Sequence, residues 1–275
     1  MAVVDLSAGE TVAWLPLWAY GDPIPIAAAT LRRVGLVVIF DTRDWVSVGV
    51  IVPAKDATER FIQAESLSGH QHGEEKVWSL KFKRVAAIHQ AGFDPTGRFL
   101  IVANKYLRDP TKGWDGLYHD LALIKHGIED PGKDHHHIAE DLERHLKEPG
   151  ALGYIDFGEY EAFHIGFLSD GSKVYISAWA PPPRINKVAV IDTSQWKIVK
   201  WIDIGPDVHT VQATYDGKWV VVVYSGYQKI RSGIAIIEAS NDEVVARLNS
   251  PYGHHDHVIV PRNVEDLKIC RSTTT

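Results

Sequence analysis

The sequence predicts an all-β fold of β-propeller blades, and three recurrences predict it. A turn of the Asp-Gly kind separates two apolar runs at Pro95-Thr96-Gly97, at Asp170-Gly171 and at Asp216-Gly217. A unit close to Val-Ile-Asp-Thr returns at Val38-Ile39-Phe40-Asp41-Thr42 and at Val190-Ile191-Asp192-Thr193. The third recurrence is histidine. His164, His209 and His254 or His255 are spaced by 45 residues and then by 45 or 46, the length of one four-stranded blade. A side chain that recurs at one position of a structural repeat occupies one place per blade, and that place is the expected functional site.

Taken in order, residues 2–17 read as the last two strands of a blade: Val3 to Leu6, a turn through Ser7-Ala8-Gly9-Glu10, then Thr11 to Leu17. Short β-branched runs flanked by turn residues carry that reading. The same half-blade returns at 36–45 and 188–196, with a weaker copy at 234–238. The other half-blade reads at 93–102, 168–176 and 215–221. Glycine accepts the positive φ that its tight turn needs. A histidine precedes each of these turns by a few residues: His89, His164 and His209. Residues 257–269 read as a fourth copy with a degraded turn, whereas 52–80 do not form a clean blade.

The chain thus starts in the second half of a blade and stops in the first half of one. The two ends could pair to close a small ring of about five blades. The favoured expectation is a single propeller domain over 1–275 that is the C-terminal portion of a longer, seven-bladed propeller. An insertion at 109–150 interrupts one blade. Ile138, Leu142 and Leu146 are spaced four apart before Pro149-Gly150, which predicts an amphipathic helix within about 125–148. It is expected to pack over one rim as a lid.

Composition excludes several classes. The 275 residues are 45% hydrophobic with a formal net charge of −6. Neither nucleic acid nor an anionic membrane is the expected partner, because both favour a basic face. No apolar run approaches the roughly 20 residues of a membrane span, and the first residues lack a secretory signal. Taken literally that reads as cytoplasmic, but because the chain begins inside a blade the expectation is that an N-terminal half, signal peptide included, is missing. A single cysteine, Cys270, excludes an intrachain disulfide and an all-cysteine metal site. Fourteen histidines beside one cysteine and one methionine direct any metal site toward imidazole.

Residues at the leading end of a blade's innermost strand reach the mouth of a propeller channel. His89, His164, His209 and His255 sit there and are expected to converge. Neutral imidazole suits copper, zinc, iron or nickel, and it also ligates haem iron. One such histidine alone is more often structural; four in register favour a site. In Tyr252-Gly253-His254-His255-Asp256-His257 alternate residues share a face if the segment is extended. His255 keeps the spacing from His209, with His254 and His257 as alternates. Asp22, at the corresponding corner of the first blade, is a candidate oxygen ligand, although a turn residue before Pro23 accounts for it as well.

The remaining histidines read as solvated surface. His70 and His72 lie in a polar loop, His135-His136-His137 abut the predicted helix, and His119, His126 and His145 belong to the insertion. Lys105, Tyr118 and Asp120 are weaker candidates for facing a substrate, and Cys270 reads as core. Trp14, Trp45, Trp196 and Trp201 recur within second half-blades, as packing between blades requires.

The Val-Ile-Asp-Thr units with Asp-Gly turns resemble the propeller repeats (YVTN or cytochrome d1-like) of haem d1 proteins, nitrous oxide reductase and thiocyanate dehydrogenase. The order Asp22, His89, His164, His209, His255 is similar to the copper-ligand run of thiocyanate dehydrogenases over the C-terminal half of their propeller. That resemblance implies a copper-dependent periplasmic oxidoreductase that converts thiocyanate to cyanate and sulfur. It implies those five residues as metal ligands, His209 as the catalytic candidate, a small anion as substrate and an electron acceptor such as a cytochrome c, with a homodimer possible. The sequence departs from the family by omission: further histidine ligands and the proposed lysine and glutamate catalysts would lie before Met1. Two other readings stand beside it. A haem d1 carrier or reductase needs one axial histidine only, and a metal-free propeller scaffold needs none.

Overall fold

The computed structural model describes residues 2–5, 10–14, 26–31, 36–41, 46–53, 76–80, 87–95, 97, 99–105, 120–124, 137, 140–144, 152–181, 183–224 and 232–250. Two short strands, β1 (Ala2–Asp5) and β2 (Glu10–Trp14), pair antiparallel. Four four-stranded sheets follow. The first holds β3 (Ile26–Leu31), β4 (Leu36–Asp41), β5 (Val46–Pro53) and β6 (Lys76–Leu80). The second holds β7 (Ala87–Phe93), β8 (Leu100–Lys105), β9 (Asp120–Ile124) and β10 (Leu152–Asp156). In the third are β11 (Glu161–Phe167), β12 (Lys173–Trp179), β13 (Asn186–Asp192) and β14 (Lys197–Gly205). In the fourth are β15 (Val208–Ala213), β16 (Trp219–Tyr224), β17 (Ser232–Glu238) and β18 (Glu243–Ser250).

Each sheet runs in chain order from one face to the other, and the leading strands β3, β7, β11 and β15 lie side by side. This is the blade array the recurrences predict, and the fold is all-β with propeller blades.

The turns are built alike. Gly97, Gly171 and Gly217 take φ of 73, 71 and 67°. Their amides donate to Asp94, Leu168 and Thr214 carbonyls at 3.0, 2.9 and 2.9 Å. A second device recurs after the third strand of the third and fourth sheets. The amides of Trp196 and Asp242, both at positive φ, donate to Asp192 and Glu238 carbonyls at 2.7 and 2.8 Å.

Both faces of the inner strands are buried, which is why they read as continuous apolar runs. On β12, Val174, Ile176 and Ala178 face a core shared with Ile101 and Ala103 of the preceding sheet. Tyr175 faces the other way, toward Val220, Val222, Ala235 and Ile237 of the following sheet. The side chains alternate with the period of two that a strand imposes. Trp196 meets Phe99 of the neighbouring sheet edge-on, with ring centroids 4.6 Å apart, so this tryptophan packs between blades as expected. Trp201 instead packs on Phe157 and Tyr160 at 5.6 and 5.4 Å and stays partly exposed.

Two departures have physical reasons. Strand β6 pairs parallel to β5. A parallel neighbour needs a long crossover in place of a tight turn, so 52–80 carry no hairpin signature. Strand β9 lies inside the span assigned to the insertion and is the third strand of its blade. Strand β9 therefore divides the span into 106–119 and 125–151, the second of which contains the helical residues 140–144. Leu142 of that helix is fully buried and His137 is exposed, as an amphipathic helix with a solvated histidine requires.

Candidate functional site

The leading strands β7, β11 and β15 share one irregularity, and the predicted histidines sit in it. Opposite β8, Ile88 pairs with Asn104 and Gln90 with Ala103, so His89 is the extra residue of a β-bulge. On β11 the register shifts between Ala162 and Ile165, enclosing Phe163 and His164. On β15 it shifts between Val208 and Val211, enclosing His209 and Thr210. A bulge bends the strand and re-aims one side chain out of the ladder. The recurring histidines thus mark the point where each leading strand breaks its pairing.

The positions are not identical. The hairpins that follow are closed by the amides of Asp94, Leu168 and Thr214. His89 and His209 lie five residues before that closing residue, whereas His164 lies four before it, with Phe163 in the first place. The neighbouring rings therefore meet obliquely: the His164 and His209 centroids are 4.6 Å apart at 45°. Phe163 lies 5.6 Å from the His164 ring and 5.3 Å from the His209 ring, edge-on to the latter. His209 is 6% exposed, and His164 Nε2 and His209 Nδ1 are shielded from solvent.

Glycine makes this approach possible. A Cβ on Gly166 would lie 2.9 Å from the Val211 carbonyl oxygen, a backbone atom that no rotamer change moves aside. Gly166 follows His164 by two residues and Val211 follows His209 by two. Backbone donors in and beside the bulges find side-chain acceptors. His164 N–H donates to Ser177 Oγ at 2.8 Å, Ile165 N–H to Gln90 Oε1 at 2.8 Å, and Val208 N–H to Asn186 Oδ1 at 3.2 Å. Ser177 and Asn186 are 0% and 1% exposed, so their side chains satisfy backbone donors where water does not reach.

Carboxylates gather at the same end. Glu161, at the start of β11, is 1% exposed and pairs in register with Trp179, whose indole N–H donates to Asp207 Oδ1 at 2.9 Å. Asp207 holds a φ of 54° in the turn leading into β15. Glu161, Gln90, Ser177 and Asn186 escape sequence reasoning because each is a single polar residue with no recurrence across blades.

Of the five predicted ligands, the structure brings His164 and His209 together and puts His89 on the corresponding bulge of the neighbouring blade. Asp22 and His255 lie outside the described residues, as do His70, His72, His119, His126, His135, His136, His145, His254, His257, Tyr118 and Cys270. Among the described residues, no group of three or more His, Cys, Asp or Glu is arranged to hold a metal ion. The ring separation can be compared with that of two imidazoles on one ion. With metal–nitrogen distances of about 2.0–2.1 Å, each ring centroid lies ~3.2 Å from the ion, and ligands at 90–109° bring centroids to ~4.5–5.3 Å. No helix among the described residues is long and apolar enough to cross a membrane.

No family model matches the chain, and no curated protein matches it. Among solved structures it is similar to Kuenenia stuttgartiensis hydrazine synthase, with 17% identity over 78% of this chain and 43% of that one and a TM-score of 0.46. It is similar also to the dihydro-haem d1 dehydrogenase NirN in complex with DHE, at 13% identity over 92% and 39% with a TM-score of 0.43. The β-propeller domain of the Trilobed protease from Pyrococcus furiosus matches at 9% identity over 62% and 45%, TM-score 0.40. The chain spans less than half the length of each of these proteins. Likeness at this level carries nothing about activity.

Proposed function

We propose that this chain is the imidazole-bearing part of a redox propeller protein, in which His164 and His209 hold one transition-metal ion between neighbouring blades. The observation that carries the reading is the 4.6 Å separation of two rings whose Nε2 and Nδ1 atoms are shielded from water. That spacing suits ligands side by side on one ion. It is too short for axial ligands on opposite sides of a haem, whose centroids would stand ~6.4 Å apart at iron–nitrogen distances near 2 Å.

Copper is the metal of this proposal, since neutral imidazole is a strong copper donor and the composition offers almost no sulfur. When bound, copper supplies Lewis acidity toward a small anion and a one-electron couple. The chain's own residues do the rest. The Gly166 contact sets the distance between the strands, the Ser177 hydroxyl fixes the His164 backbone, and the Phe163 ring lies edge-on to His209. His89, Asp22 and His255 are proposed to complete the ligand set. Thiocyanate as substrate, a cytochrome c as electron acceptor, and a periplasmic parent protein belong to the same proposal.

The second reading is a haem d1 protein, for which either imidazole alone suffices as axial ligand and the other is a neighbour in the pocket. One experiment separates the two. The purified chain and its His164→Ala/His209→Ala variant are loaded with copper, or with haem d1, and assayed by elemental mass spectrometry and visible absorption. About one copper per chain, lost in the variant, supports the copper reading and makes thiocyanate-dependent reduction of cytochrome c the next assay. A Soret band lost in the variant, without retained copper, supports the haem reading. Equal behaviour of both proteins with both groups removes the pair from either role.

A further inference from the structure

Two of the three histidine bulges, those of β11 and β15, lean on a carboxamide from the blade before. Gln90 of β7 accepts the Ile165 amide of β11 through Oε1 at 2.8 Å. Asn186 of β13 accepts the Val208 amide of β15 through Oδ1 at 3.2 Å, while its Nδ2 donates to the Ala180 carbonyl at 2.7 Å. Ile165 directly follows His164, and Val208 directly precedes His209. Both amides belong to residues that flank a bulge, and a buried donor must find an acceptor. Here the acceptor comes from the neighbouring blade.

Gln90 has the more informative place. It is the residue after His89, which is itself the extra residue of the β7 bulge. One side chain therefore links the bulge carrying His89 to the bulge carrying His164, across the join between two sheets. We propose that Gln90 is a positioning residue: it fixes how the β11 bulge sits against β7, and so sets the His164 ring against His209. The inference rests on reading that pair as a ligand site. A structural strut would need only some acceptor somewhere along the join. This one is bonded at the residue beside His164 and flanked by His89, so its loss acts first on the imidazoles. Side chains that orient metal ligands are worth about 10–100-fold in metal affinity.

The test compares Gln90→Leu, Gln90→Asn and Gln90→Glu with the wild-type chain. Leu removes the acceptor, Asn withdraws it by one methylene, and Glu keeps an acceptor oxygen in place. Imidazole resonances of His164 and His209, assigned from His164→Ala and His209→Ala spectra, are recorded without metal, and Cu(II) is then titrated into the same proteins. The expected result is that Leu and Asn move those two sets of resonances while the His137 signal stays, and that Cu(II) binding weakens about 10–100-fold. Glu is expected to restore both. If Gln90→Leu fails to fold, Gln90→Asn gives the same readout. Resonances of His164 and His209 that stay in place in Leu and Asn, or that Glu does not bring back, overturn the proposal. Absence of Cu(II) binding by the wild-type chain overturns the copper reading alone, because the metal-free resonances still decide the role of Gln90.

Discussion

The phenol of Tyr175 donates to Asp242 Oδ1 at 2.5 Å, joining residues 67 apart on neighbouring blades. The same carboxylate receives Lys173 Nζ on Oδ2 at 2.8 Å, and Asp242 itself sits at a φ of 59° in the turn between β17 and β18. Burial first, and then the bond to Asp242, push the Tyr175 phenol far above its ordinary pKa, so it donates at every working pH. Tyr175→Phe removes that donor while keeping the ring in the core. The expected cost is about 1–3 kcal/mol, the penalty for a buried acceptor that loses its partner. Urea denaturation measures it, and a midpoint equal to wild type would show that the bond does not hold the blades together.

Ser177→Ala asks the corresponding question of the bulge. Ser177 Oγ accepts the His164 amide at 2.8 Å and the residue is fully buried. Alanine leaves that donor in the core without its acceptor, at an expected loss of about 1–3 kcal/mol. Hydrogen exchange gives the local readout: the His164 amide is expected to lose protection while the amides of β13 keep theirs. Unchanged protection at His164 counts against the bond.

The turn glycines and the histidines were legible from the sequence because each meets a constraint that few residues satisfy. Gly97, Gly171 and Gly217 occupy φ near 70°, where a Cβ is strained. Histidine recurs because the bulges on β7, β11 and β15 each re-aim a side chain. Its spacing was legible only to within a residue: His164 stands one place later in its bulge than His89 and His209, and no pattern in Phe163-His164 announces that. The parallel pairing of β6 and the third-strand role of β9 were hidden for another reason. Both follow long connections, and pairing at long range leaves no local signature. Gln90, Ser177 and Asn186 are equally silent, since an acceptor for a buried amide can come from any polar side chain within reach.

Acid should weaken the hairpins through two aspartates. The Ser194 hydroxyl, and then its amide, hold Asp192 below the usual carboxylate range. The Thr214 hydroxyl, and then the Lys218 amide, do the same for Asp216. A carboxyl whose folded pKa is depressed contributes stability above its unfolded value, near 3.9, and loses it as pH falls through the lower folded value. Asp192→Asn/Asp216→Asn keeps an acceptor oxygen at each turn but abolishes the titration. Urea midpoints at pH 7 and at pH 2.5 are therefore expected to differ less in the variant than in the wild-type chain. Equal differences would mean that neither aspartate contributes to the acid slope.

Gly166→Ala tests the contact that lets two imidazoles meet. The added methyl would stand 2.9 Å from Val211 O and 3.1 Å from its carbonyl carbon. Both are backbone atoms, so β11 and β15 must separate to relieve the clash. Overpacking of this kind costs about 1–3 kcal/mol, and the displacement falls two residues from both His164 and His209. Gly158→Ala is the control: its φ of 58° strains any side chain, yet nothing lies within 4 Å of the new methyl. That variant is expected to lose about 1–2 kcal/mol from backbone strain alone. Both variants should therefore unfold at lower urea, but only Gly166→Ala should shift the His164 and His209 imidazole resonances and weaken Cu(II) binding. If Gly158→Ala weakens binding as much, the effect reports general loosening, and the close approach of β11 to β15 is not what brings the two rings together.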